Sequence, residues 1–294
     1  MVRVSMFIRR SLFSPILGLA LSLAALSPRP SWAADSVHAN QAAAPIVRDL
    51  HDIALKLYPA DEIIGNDRSD DYGLPEGPNF ASAVGTRILL QLAALSGDAT
   101  DQQLVGVMLE SGAGGPRDYA AARTHYRLSG NRVALWRLGL LVYSGKGGAA
   151  DLPAARALFR RSAQFGLIDA AYEYARMLEL GEGGERDEVA ARGVYESTLQ
   201  YCHGDIANRL AMMLMRGVGG PADSARAAEM HLKAISCHNR FYEDPVVIRS
   251  PDLIDRPTIV EIQKLLRKHG AYCGPINGRM DEATRSALDH SRGV

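Results

Sequence analysis

Several things are scarce in this chain of 294 residues, and each scarcity excludes something. Aromatic residues make up only 6% of a sequence that is 47% hydrophobic, so alanine and leucine carry much of the apolar content, and packed helices are expected over sheets. Formal net charge is zero, which argues against a broad polyanion-binding surface; no nucleic-acid partner is expected. There is no nucleophile elbow, zinc-protease helix, paired-carboxylate hydrolase pattern or dinucleotide fingerprint. The expectation is therefore no catalytic residue, no cofactor and no metal: a non-enzyme. Long apolar runs are missing too, with one exception at the start.

Residues 1–33 read as a signal peptide. Arg3, Arg9 and Arg10 precede an apolar stretch from Pro15 to Leu26, and Ser31-Trp32-Ala33 places small residues where signal peptidase reads them. The stretch is shorter than the ~20 residues of a spanning helix. Cleavage after about Ala33 leaves 29 basic against 33 acidic residues and no transmembrane segment, so the expected location is the periplasm, reached by general secretion or by the twin-arginine route.

What is abundant is glycine, and it recurs in register. Gly112, Gly145, Gly181 and Gly217 each open a Gly-x-Gly-Gly, at spacings of 33, 36 and 36 residues. Counting from that glycine as zero, Asp118, Asp151, Asp187 and Asp223 stand at +6, and Ala122, Ala155, Ala191 and Ala227 at +10. Tyr126, Phe159, Tyr195 and His231 stand at +14, and small residues at −6: Gly106, Gly139, Ala175 and Ala211. Apolar residues three and four apart precede each glycine, which is one face of a helix. The unit is thus a helix ended by glycine, a corner, and a second helix capped by aspartate. In this reading the small residues let helix axes approach, and the aromatic fills the space between neighbouring units. The corner "GKGG" superficially suggests a phosphate loop. However, Lys146 is replaced by Ala113, Glu182 and Val218 in the other copies, and no Ser or Thr follows it.

These residues resemble the Sel-one-like repeats, relatives of the tetratricopeptide repeat, over about residues 98 to 239. "RVALWRLGLLVYSGKGGAADLPAARALFRRSAQFG" is the best match. One departure is that the valine usual after Gly-x-Gly is Gly115, Gly148, Gly184 or Gly220, which predicts a looser corner. The resemblance implies an all-α, α-α superhelical solenoid, with a protein partner on its extended surface. A further helix, Phe80 to Gly97, is expected to cap the first repeat, and "PIVRDLHDIALKLY" suggests another ahead of an acidic, turn-rich stretch.

After His238 the periodicity stops. "FYEDPVVIRSPDLIDRP" has three prolines and reads as a linker. The last segment resembles the small three-helix peptidoglycan-binding domain through Ile262-Gln263, Leu266, Gly270, Gly274-Pro275, Asn277-Gly278, Thr284 and Ala287-Leu288. It departs from that family where the usual Asp-Gly is Asn277-Gly278 and where Asp281 replaces a glycine. The resemblance implies a groove around the turn and the helix after it, with Tyr272, Asn277, Arg279 and Thr284 as candidate peptidoglycan contacts. Thr284 and Tyr272 equally suit a miniature core.

Of the three cysteines, Cys202 and Cys237 fall 21 and 20 residues after their repeat glycines, so a disulfide forms if their two loops lean together. Each precedes a histidine, His203 or His238, but the spacing fits no standard zinc motif. The expected organisation is a signal peptide (1–33), an N-terminal helix and acidic linker (34–79), a solenoid (80–239), a linker (240–255) and a peptidoglycan-binding-like domain (256–294). The function this implies is an exported, non-catalytic envelope adaptor between a protein partner and peptidoglycan. Two alternatives stay open: a periplasmic regulator of a membrane sensor without wall binding, and a peptidoglycan-targeted hydrolase.

Overall fold

The computed structural model describes residues 36–57, 59, 80–237 and 246–291, and those residues contain helices and no strand. Residues 1–33 and most of the acidic stretch 58–79 lie outside them. The chain divides into two units, Met1–Asp49 and Leu50–Val294. In the first, the described residues are helical from Ser36 onward, the start of α1 (Ser36–Leu57). All that follows concerns the second.

α2 (Phe80–Ala93) precedes four antiparallel hairpins. Their first helices are α3 (Ala99–Ser111), α5 (Arg132–Ser144), α7 (Ile168–Leu180) and α9 (Gly204–Arg216). Their second helices are α4 (Tyr119–Ser129), α6 (Leu152–Gln164), α8 (Glu188–Thr198) and α10 (Ser224–Ser236). α11 (Val246–Arg249), α12 (Arg256–Lys268) and α13 (Glu282–His290) complete the chain. The fold is an all-α, α-α solenoid.

The punctuation works as its chemistry dictates. Each repeat glycine ends its helix in the left-handed region, at φ between 68° and 81°, where a side chain would be strained. Asp118, Asp151, Asp187 and Asp223 each accept a backbone N–H three residues on, satisfying an otherwise orphan donor.

The glycine at +2 has a different task. A Cβ on Gly147 would be driven into the backbone of Tyr119 and Ala120, at the head of the preceding unit's second helix. Gly114, Gly183 and Gly219 meet the backbone at Ala83, Leu152 and Glu188 in the same way. Units therefore stack main chain against main chain.

Two expectations need correcting. The +14 aromatic does not sit between units; it lies over the small −6 residue of its own hairpin. A Cβ on Gly139 would come within 2.6 Å of Phe159, and Gly106 is equally crowded by Tyr126. Nor does the glycine at +3 loosen the corner. A Cβ on Gly148 would lie 2.7 Å from Arg123 Nη1, and Gly115, Gly184 and Gly220 make the same room for Arg87, Arg156 and Arg192. Each guanidinium donates into the next corner: Arg87 to Pro116 O (3.2 Å), Arg123 to Ala149 O (3.4 Å), Arg156 to Glu185 O (3.0 Å) and Arg192 to Pro221 O (3.2 Å). In the repeats this arginine stands at +11, and in the last one it is Ala228, where no further corner follows.

The packing also reaches past the expected boundaries. Ala54 of α1 is fully buried and its carbonyl accepts from Thr86 Oγ1 (3.1 Å), so the array starts before residue 80. The expected linker 240–255 is only partly described, but α11 and a 3-10 turn, Pro251–Leu253, lie in it, and Val247 and Ile254 are buried. Both belong to one apolar cluster with Leu210, Leu214 and Ala228 of the last hairpin and Ile259, Ile262 and Leu266 of α12. Val246 N donates to Asn208 Oδ1 (3.2 Å) and Asp255 N to Met215 Sδ (3.3 Å). The C-terminal helices cap the solenoid instead of hanging from it.

Candidate partner-binding face

The first helices of the two central hairpins carry a half-exposed stripe at −9, −5 and −2, positions that share one helical face. In the two central units it reads Trp136, Leu140, Tyr143 and then Tyr172, Arg176, Glu179. Polar ties cross from unit to unit here. Arg137 at −8 pairs with Glu110 of the preceding unit (3.2 Å), and Arg209 at −8 pairs with Glu179 (3.7 Å). Between them the −8 residue is Glu173, and Arg176 takes over. It bonds Glu173 (3.0 Å) and Glu182 (3.1 Å) and lies over the Tyr143 ring at 5.2 Å, while Tyr143 donates to Glu182 (3.1 Å).

Burial works to lower the pKa of Arg176, but the bonds to Tyr143 and Glu173 and the charges of Glu173 and Glu182 outweigh it, so the guanidinium is held firmly charged. Tyr195 is held protonated, first by burial and then by the Glu179 carboxylate. Tyr172 stacks on His203 at 5.9 Å, and His203 faces Asp169 at 3.5 Å. Trp136 has its Nε1 buried with no hydrogen-bond partner among the described residues. The stripe is thus a rigid row of Trp, Tyr and Arg side chains, the residue types that dominate protein interfaces.

The sequence-derived candidates at the C-terminus are arranged differently. Gln263, fully buried on α12, organises them. Its Nε2 reaches Arg279 O (2.9 Å), Thr284 Oγ1 (3.0 Å), Tyr272 Oη and Asn277 Oδ1 (both 3.3 Å), and its Oε1 accepts from Asn277 N and Gly278 N (both 3.0 Å). Tyr272 is 3% exposed and Thr284 0%, so both hydroxyls point into the miniature core and not to a ligand. Asn277 is half-buried and bound in the turn. Of the four, only Arg279 has an exposed side chain.

Cys202 and Cys237 form a disulfide with Cα atoms 5.1 Å apart. It joins the loop before α9 to the end of α10, and so ties the open end of the last hairpin. The thiolates that a Cys-His zinc site needs are thereby used, and His238 lies outside the described residues.

The Sel1 repeat profile matches residues 102–133, 132–164, 168–193 and 207–239, one segment for each hairpin. These four segments are similar to Sel1 repeats. Two solved structures share the fold: a Sel1 repeat protein from Oxalobacter formigenes (19% identity, 82% of this chain and 86% of that one, TM-score 0.58), and c5321, a protective antigen of uropathogenic Escherichia coli strains (17%, 84% and 53%, 0.57). This chain spans about half the length of c5321. No curated protein matches the chain in sequence. At these identities the likeness establishes the solenoid fold, and the Sel1 repeats suggest a protein-interaction solenoid.

The +11 arginines and the −8 to −2 ion pairs escaped the sequence reading. The arginines had a visible signal, the same residue at the same offset in three of four copies.

Proposed function

We propose that this protein is an exported, non-catalytic envelope adaptor that grips a protein partner along the Trp136–Tyr143–Tyr172–Arg176 row. The observation behind this reading is the row itself: half-exposed aromatic and guanidinium groups on the first helices of the solenoid, with Arg176 held by Glu173 and Glu182 and Tyr143 bonded across the unit boundary to Glu182. Such preorganised side chains lose little conformational entropy on binding. Export to the periplasm is supported by the sequence of residues 1–33. Peptidoglycan contact is supported by the resemblance of residues 256–294, with Arg279 as its remaining exposed candidate.

A photo-crosslinking residue at position 136 or 172 should trap a partner in the envelope, and one at Val189, exposed on α8, should not. Equal trapping at all three positions defeats the proposed face. Purified peptidoglycan should retain the full chain and release the Arg279→Glu variant. A second reading, a solenoid with no wall binding, draws support from the buried Tyr272 and Thr284 and from the docked C-terminal helices. Failure of the intact chain to bind peptidoglycan selects it.

A further inference from the structure

We propose that the seam between the last hairpin and the C-terminal helices is an acid-sensitive latch, closed while His231 is neutral and opened when His231 takes a proton. Comparison along the repeat carries the idea. At +14 and −2 the first and third hairpins pair a phenol with a carboxylate, Tyr126 donating to Glu110 and Tyr195 to Glu179 (3.4 Å), while the second holds Phe159 and Tyr143 there. In the last hairpin the same two positions hold His231 and Met215. Acceptor and aromatic have changed together.

His231 is fully buried, and neither ring nitrogen has a hydrogen-bond partner among the described residues. Thr258 Oγ1 on α12 is likewise buried without one. The helices packed on α10 offer little to an imidazolium. α9 presents Met215, whose sulfur already takes the Asp255 N–H. α12 presents Asp255 at its N-terminus, the one charged group among the described residues that acts on His231, but this carboxylate caps its own helix by accepting from Thr258 N (2.9 Å). On α10 itself Glu229 is exposed and Lys233 donates to Leu199 O (2.5 Å). A proton on His231 therefore buries a charge without an acceptor, which is costly.

Burial lowers the imidazole pKa from 6.5 to about 4, with Asp255 pulling weakly the other way. An open seam returns the group to its ordinary value. The closed form is then fully favoured above about pH 6.5, loses ground as pH falls toward about 4, and loses no more below that. At pH 5 the open population should rise about 20-fold over its value at pH 7.

Hydrogen exchange on the full, disulfide-bonded protein, corrected for intrinsic pH dependence, reads this directly. At pH 5 the amides of α12 and α13 should lose about 20-fold in protection while those of α3 to α6 keep theirs, and His231→Phe should abolish the difference. Loss spread evenly over all repeats, no loss, or the same loss in His231→Phe overturns the latch. Should that variant not fold, NMR titration of the native His231 ring decides. A midpoint near 4 in the closed form supports the proposal, and one near 6.5 with α12 still protected refutes it.

Discussion

The early hairpins and the last one are built on the same register but are closed differently. In the first two, a serine at +17 ties the end of the second helix to the start of the first: Ser129 Oγ to Ala99 O and Ser162 Oγ to Arg132 O, both 2.6 Å. In the third, Thr198 turns back onto its own helix at Val194 and Tyr195. In the last, position +17 is Ala234, and the Cys202–Cys237 disulfide joins that same end. An internal unit is held by neighbours on both sides, whereas the final one has repeats on one side only. It lacks the tyrosine, the arginine at +11 and the serine, and it gains a covalent staple and a docked pair of helices. The difference teaches that a terminal repeat is stabilised by other means than the repeat code.

Breaking the staple should give the largest effect. Replacing Cys202 and Cys237 by Ser frees a loop with a separation of 35 residues, and loop-closure entropy sets the cost at about 4 kcal/mol. Urea unfolding should show the loss, with hydrogen exchange confining it to α9, α10 and the C-terminal helices. Gly147→Ala attacks an internal unit instead, adding a Cβ at φ 78° against the Tyr119 backbone, and should cost about 3 kcal/mol of thermal stability. The smallest effect sharpens the contrast. Ser162→Ala should lose about 1 kcal/mol in denaturant titration, while Ala234→Ser, placing the hydroxyl where the disulfide already acts, should gain nothing measurable.

Much of this fold was legible because its determinants are local. Glycine at a helix end and aspartate six residues on report backbone geometry, which a sequence displays directly. The arginines at +11 follow the repeat as faithfully but serve the next unit's corner, about 26 to 29 residues downstream, so no local rule points to them. The ion pairs are harder still: Arg137 and Arg209 obey one pattern, and Arg176 replaces it through a different neighbour. At the C-terminus the motif residues were visible but their direction was not. Tyr272 and Thr284 suit a groove and a core equally by type, and it is Gln263, fully buried, that turns both inward. The docking of α12 rests on scattered residues such as Val247 and Ile254 in an aperiodic, proline-bearing stretch, which carries no period to read.

The corner glycines have a consequence for how such a chain can change over time. Because Gly114, Gly147, Gly183 and Gly219 rest on the main chain of the preceding unit, the fit between neighbours does not depend on which side chains that neighbour bears there. Whole units can be duplicated, deleted or shuffled with this joint intact, so the length of the array is free to vary in steps of one hairpin while the surface of each hairpin diverges on its own.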